Sequence, residues 1–146
     1  MAYLVDTNCF LRLAEPNSHN RKLVLNALRK LHADGEALCF TPQVLAEFWN
    51  VCTRPASARG GLGLSVESTE RKVKLIEKHF RLLPDNLATF IQWRRLVSDL
   101  KVTGVQVHDT RLVASMVGHN ISHLISFNDR DFRRYSEITV MNPTDI

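Results

Sequence analysis

The 146-residue chain, 45% hydrophobic and 23% charged, is long enough for one buried core and short for two, so a single domain spanning residues 1–146 is expected. No apolar run approaches the roughly 18 residues that a membrane span needs, and Asp6 interrupts the stretch where a secretory leader would be apolar; a soluble, cytoplasmic protein with no membrane partner is the expectation. The net charge of +4 is unevenly spread: residues 54–95 hold nine Lys and Arg against four acids, which suits a polyanion such as nucleic acid but equally a solvated helix face. Cys9, Cys39 and Cys52 are odd in number and far apart, which argues against a disulfide framework or a zinc site and for three small core thiols.

Tyr3-Leu4-Val5 is a short apolar run ending abruptly at Asp6-Thr7-Asn8, the pattern of a buried strand. From His19 to Asp34 the residues Leu23, Val24, Ala27, Leu28 and Leu31 recur at helical spacing, with Gly35 as a stop. Ala37 to Phe40 reads as a second strand. Thr41-Pro42 then supplies a cap and a first-turn proline for a helix to about Thr53, with Val44, Leu45, Phe48, Trp49 and Cys52 inward. Arg54 to Gly63, with one proline and three glycines, is expected to be a mobile loop.

Ser65 can cap a helix whose core stripe is Val66, Thr69, Val73, Ile76 and Phe80. Arg81 to Leu83 reads as a strand, Asn86 to Lys101 as a helix, and Val105 to Val107 as a small strand. A helix from Asp109 to about Gly118, a strand from His123 to Phe127 and an edge strand from Thr139 to Met141 complete the chain. Strands alternating with helices in this way predict an α/β fold: three layers, α/β/α, around a mostly parallel sheet.

Parallel sheets place their chemistry where the strands end. Asp6, Asp109 and Asn128-Asp129 each follow an expected strand, and Glu47 lies on a polar stripe with Gln43, Asn50 and Arg54 along one helix. Carboxylates gathered at one edge repel one another unless a cation neutralises them, and Mg²⁺ or Mn²⁺ accepts oxygen ligands of this kind. Taken singly, Asp6 also reads as a helix cap, Asp109 as a first-turn acid, Asp129 as a turn residue and Glu47 as a partner of Arg54.

Four segments, Leu4-Val5-Asp6-Thr7-Asn8, Ala46-Glu47-Phe48-Trp49-Asn50, His108-Asp109-Thr110-Arg111-Leu112-Val113-Ala114 and Ser126-Phe127-Asn128-Asp129-Arg130-Asp131-Phe132, together resemble the PIN-domain nucleases. The resemblance is to VapC-type toxins of bacterial toxin–antitoxin pairs and covers nearly the whole chain in order. It implies a Mg²⁺-dependent endoribonuclease, with Mn²⁺ as substitute, that hydrolyses RNA phosphodiester bonds. By position it assigns Asp6, Glu47 and Asp109 to the metal, Thr7, Asn8 and Ser126 to its support, and leaves Asn128 and Asp129 as rivals for the fourth place. Arg54, Arg59 and Arg111 become candidate RNA phosphate contacts. An antitoxin protein and a second copy of the chain become the implied partners.

His108 also reads as a residue at a helix start, and Trp49 and Trp93 as core. A phosphatase of the haloacid-dehalogenase kind would want an acid where Asn8 stands. The alternative from another class is a PIN-like module that binds RNA or protein without cutting.

Overall fold

β1 (Ala2–Val5) buries Tyr3, Leu4 and Val5, apolar toward both faces, as a strand in the middle of a parallel sheet must be. The computed structural model, which describes residues 1–146, continues with α1 (Thr7–Ala14), α2 (His19–Ala33), β2 (Ala37–Phe40) and α3 (Pro42–Thr53). Then come α4 (Val66–His79), β3 (Arg81–Leu82), α5 (Leu87–Asp99), α6 (Gln106–Gly118), β4 (His123–Ile125), α7 (Asp129–Phe132), β5 (Thr139–Met141) and a closing 3₁₀ turn, Pro143–Asp145. All five strands are parallel, in the order β3-β2-β1-β4-β5. This is the three-layer α/β/α arrangement expected, and it puts every strand's C-terminal end on one edge.

Local chemistry accounts for the helix starts. Thr41 accepts a hydrogen bond from the Val44 amide (3.2 Å) with Pro42 in the first turn, Ser65 accepts from Ser68 (3.1 Å) and Asn86 from Thr89 (2.9 Å). One apolar cluster runs through the sheet, with Leu4, Val5, Val44, Val113, Leu124 and Ile125 wholly buried. Cys9, Cys39 and Cys52 are free and buried in it, and burial pushes all three thiols up from their ordinary pKa.

The expected strand at Val105–Val107 does not form. Val105 is 81% exposed and opens α6 instead, following Gly104 at φ +58°. An apolar-polar-apolar triplet fits either element, and here the Val107 amide donates to the Gly104 carbonyl (3.2 Å) and the His108 amide to that of Val105 (3.1 Å), which starts a helical turn. Asp109 therefore sits in the first turn of a helix rather than after a strand. Smaller corrections follow the same logic. Leu45 and Trp49 are half-buried, Val66 is exposed at the first position of α4, and β4 ends at Ile125 because Ser126 turns into a side-chain network. Helix α7 is not among the elements the sequence pattern predicts, and α1 enters it only as the helix that Asp6 would cap.

The segment 54–64 is closed rather than loose. The Gly63 amide donates to the Arg54 carbonyl (2.8 Å), Leu62 to Val51 (3.1 Å) and Leu64 to Cys52 (2.8 Å), while the Arg54 guanidinium donates to the Arg59 carbonyl (2.6 Å). Gly61 is the residue that permits this: a Cβ there would lie 2.2 Å from the Pro55 carbonyl oxygen and 2.7 Å from that of Arg54. Gly61→Ala is predicted to lower stability by about 1–3 kcal/mol, the scale of a forced backbone shift. Urea denaturation measures it, and an unchanged midpoint would contradict the closed loop.

Candidate active site at the C-terminal edge of the sheet

Asp6 leaves β1 at its seam with β4, where its amide donates to the Ile125 carbonyl (3.0 Å). Its side chain is then fixed from three sides. One oxygen accepts from the Thr7 amide (2.7 Å), capping α1, and the other accepts from the Ser126 hydroxyl (2.7 Å) and the Asn8 amide (3.2 Å). Asn8 also reaches Ser126 Oγ (3.1 Å) and accepts from the Phe127 amide (3.2 Å), so the end of β4 is tied to the start of α1. Short polar side chains do this because they reach backbone and carboxylate without filling the space above the sheet.

Glu47 comes in from α3. Its Oε2 accepts from the Thr7 hydroxyl (2.8 Å) and its Oε1 from Gln43 Nε2 (3.0 Å), one turn back on the same helix face. That amide nitrogen also donates to the carbonyl of His108 (2.8 Å), just before Asp109. Asp109 itself is half-buried in the first turn of α6. Behind it, Thr110 shares a buried hydrogen bond with the Tyr135 hydroxyl (2.7 Å), which anchors that turn to the segment after α7.

The PIN domain profile matches residues 3–138. The chain belongs to the PIN-domain family. A search of curated proteins finds no matching sequence. Among solved structures, this PIN domain resembles VapBC2 from Rickettsia felis bound to a promoter DNA fragment, with a TM-score of 0.74 and 18% identity over 97% of this chain and 98% of that one. It also resembles VapBC-1 from nontypeable Haemophilus influenzae (TM-score 0.73, 18% identity, 99% of each chain). A third is VapC20 from Mycobacterium tuberculosis, described as a sarcin-ricin loop cleaving toxin (TM-score 0.63, 15% identity, 91% and 95%). At these identities the likeness concerns the fold.

The charges of this PIN domain's site are out of balance. Burial pushes the Asp6 carboxyl up to about 6, and the charges of Glu47 and Asp109 add to the rise although Ser126 and Thr7 oppose it. Asp109 is raised by its burial, then by Asp131 and Glu47, with His108 a small opposing influence. None of the six ion pairs in the molecule includes Asp6, Glu47, Asp109 or Asp131. The donors are all oxygens, which suits a hard divalent cation. The carboxylates are within one another's electrostatic reach, yet no three acidic, His or Cys side chains are drawn together tightly enough to form a finished metal cage.

Asp129 and Asp131 flank one position of a single helical turn, so their side chains leave it in opposite directions. Asp129 turns to Arg133 (3.3 Å), and Asp131 is the one that acts on Asp109. The backbone amide of Asn128 donates to Ser126 Oγ (3.0 Å), and its side chain caps nothing. Asp131 and Gln43 are thus two residues that the sequence reading left without a role. The signal for Asp131 was available in the buried Phe132 beside it, which fixes the rotation of α7. Of the arginines, Arg54 is spent on its own loop and Arg111 pairs with Asp85 (3.0 Å), while the exposed Arg59 side chain holds no partner. Trp93 is half-buried and donates to the Val107 carbonyl (3.0 Å), a packing role.

Because the folded protein binds the Asp6 proton more tightly than an unfolded chain does, stability without divalent cations falls as pH rises from about 4 to about 6. The loss from this group is on the order of 3 kcal/mol and levels off above that range. Thermal melting across pH measures it. The fall is predicted to shrink in Asp6→Asn and with saturating Mg²⁺; a fall of equal size in all three conditions would contradict the assignment.

Proposed function

We propose that this chain is a Mg²⁺-dependent endoribonuclease, the toxin component of a toxin–antitoxin pair acting in the cytoplasm. The observation that carries the proposal is the group of buried and half-buried carboxylates, Asp6, Glu47 and Asp109, at one sheet edge with no Lys or Arg paired to any of them. Asp6, Glu47 and Asp109 would hold the metal, with Asp131 in preference to Asp129 as the fourth acid. Mg²⁺, or Mn²⁺ in its place, supplies Lewis-acid polarisation of a phosphate oxygen and a more acidic water when bound. Thr7, Asn8 and Ser126 keep the carboxylates oriented so that little reorganisation accompanies reaction. Arg59 and the basic middle of the chain draw RNA toward an edge that would otherwise repel it.

The second reading, a PIN module that binds without cutting, is favoured by the unfinished spacing of the carboxylates. Single-turnover cleavage of single-stranded RNA decides between the two. Wild type with Mg²⁺ or Mn²⁺ is predicted to cut and Asp109→Asn to lose about a hundredfold or more. Asp131→Asn is predicted to lose more than Asp129→Asn. No cleavage by folded wild type under any divalent metal would favour the binding module.

An apolar groove of about 600 Å³ between α1, α2 and α4 supports the antitoxin partner. Phe10, Leu25, Leu28, Leu75, Ile76 and Phe80 line it, and its charged neighbours are all basic: Arg21, Arg29 and Lys72, with His32 and His79. Such a groove fits an amphipathic, acidic segment of the antitoxin. The exposed stripe Leu87, Phe90 and Ile91 on α5 supports a homodimer. Leu75 is 58% exposed, so Leu75→Glu should fold normally. It is predicted to keep growth arrest on expression but to escape rescue by the co-expressed antitoxin; full rescue would remove the groove from the interface.

A further inference from the structure

Gln43 makes two hydrogen bonds that join parts of the chain far apart in sequence. Its Nε2 donates to Glu47 Oε1 (3.0 Å) on its own helix and to the His108 carbonyl (2.8 Å) in the first turn of α6. Both partners are acceptors, so the amide has one possible orientation: turned over, its oxygen would face two oxygens. The cost is visible on the other side, where Gln43 Oε1 is buried without a partner. A group held in place at the expense of an orphaned carbonyl is held for its donors.

The two acceptors belong to different arms of the acidic site. Glu47 is a site carboxylate, and His108 precedes Asp109 in the chain, so one amide spans α3 and α6 where two negative charges approach each other. A Lys or Arg at this place would cancel the charge that attracts a cation, whereas a neutral amide orients the carboxylate and leaves its charge intact. Thr7 holds the other oxygen of Glu47, so the pair of donors fixes the plane of that carboxylate. We infer that Gln43 is a positioning residue: it sets the spacing of the Glu47 and Asp109 carboxylates for a divalent cation. The inference rests on reading this edge as a metal-dependent nuclease site.

Calorimetric titration with Mn²⁺ in the absence of RNA tests it, on wild type, Gln43→Met and Gln43→Asn, with thermal melting to confirm that each is folded. Gln43→Met keeps the volume and removes the donors; Gln43→Asn keeps the amide but is one methylene short of spanning both partners. Each variant is predicted to bind Mn²⁺ about tenfold more weakly, the loss typical of a partner that orients a metal ligand, and to lower kcat with the KM for RNA unchanged. On a Glu47→Gln background, Gln43→Met should cost less than on the wild type, because the group it orients is already altered. Wild-type Mn²⁺ affinity in either folded variant, or an equal loss on both backgrounds, overturns the positioning role while leaving the nuclease reading standing. A wild-type protein that binds no Mn²⁺ overturns that reading and this inference with it.

Discussion

Asp6, Glu47 and Asp109 carry like charges to one edge of the sheet, where burial and then the proximity of other acids raise the carboxyls of Asp6 and Asp109. Asp6 is buried, its carboxyl is pushed to about 6, and two further acids raise it although no ion pair relieves it. A protein selected for stability alone would place an arginine or an apolar residue here. Instead the chain surrounds the carboxylates with neutral donors from Thr7, Asn8, Gln43 and Ser126, which hold geometry without cancelling charge.

The fold serves that arrangement. A parallel sheet buried on both faces keeps β1 and β4 rigid, so the carboxylate at the end of one and the hydroxyl at the end of the other meet at 2.7 Å. Helices α3 and α6 bring their acids in from opposite parts of the sequence, and Gln43 links the two directly. Tyr135, nearly wholly buried, ties the first turn of α6 from behind through Thr110.

Much of this is legible in the amino-acid sequence. The strands at Tyr3–Val5, Ala37–Phe40 and Thr139–Met141 and the helix starts at Thr41, Ser65 and Asn86 follow from apolar runs and capping residues, whose physics is local. The failures were tertiary. Val105–Val107 has a strand's alternation, but Val107 enters the first turns of α6, which opens at Gln106. Segment 54–64 has a mobile loop's composition, yet backbone bonds to Val51 and Cys52 close it. The choice between Asp129 and Asp131 turns on the rotation of a four-residue helix, which depends on where Phe132 packs. That Gln43 reaches the His108 carbonyl could not be read from spacing at all.

If Asp6, Glu47 and Asp109 share one divalent cation, anomalous diffraction from crystals soaked in Mn²⁺ will locate it. A single strong peak, or a close pair, is expected between carboxylate oxygens of Asp6 and Asp109 with Glu47 alongside, and is expected to vanish in Asp6→Asn. A saturating soak that leaves this edge without a peak, with Asp6 still bonded only to Ser126, Asn8 and the Thr7 amide, would contradict a shared cation.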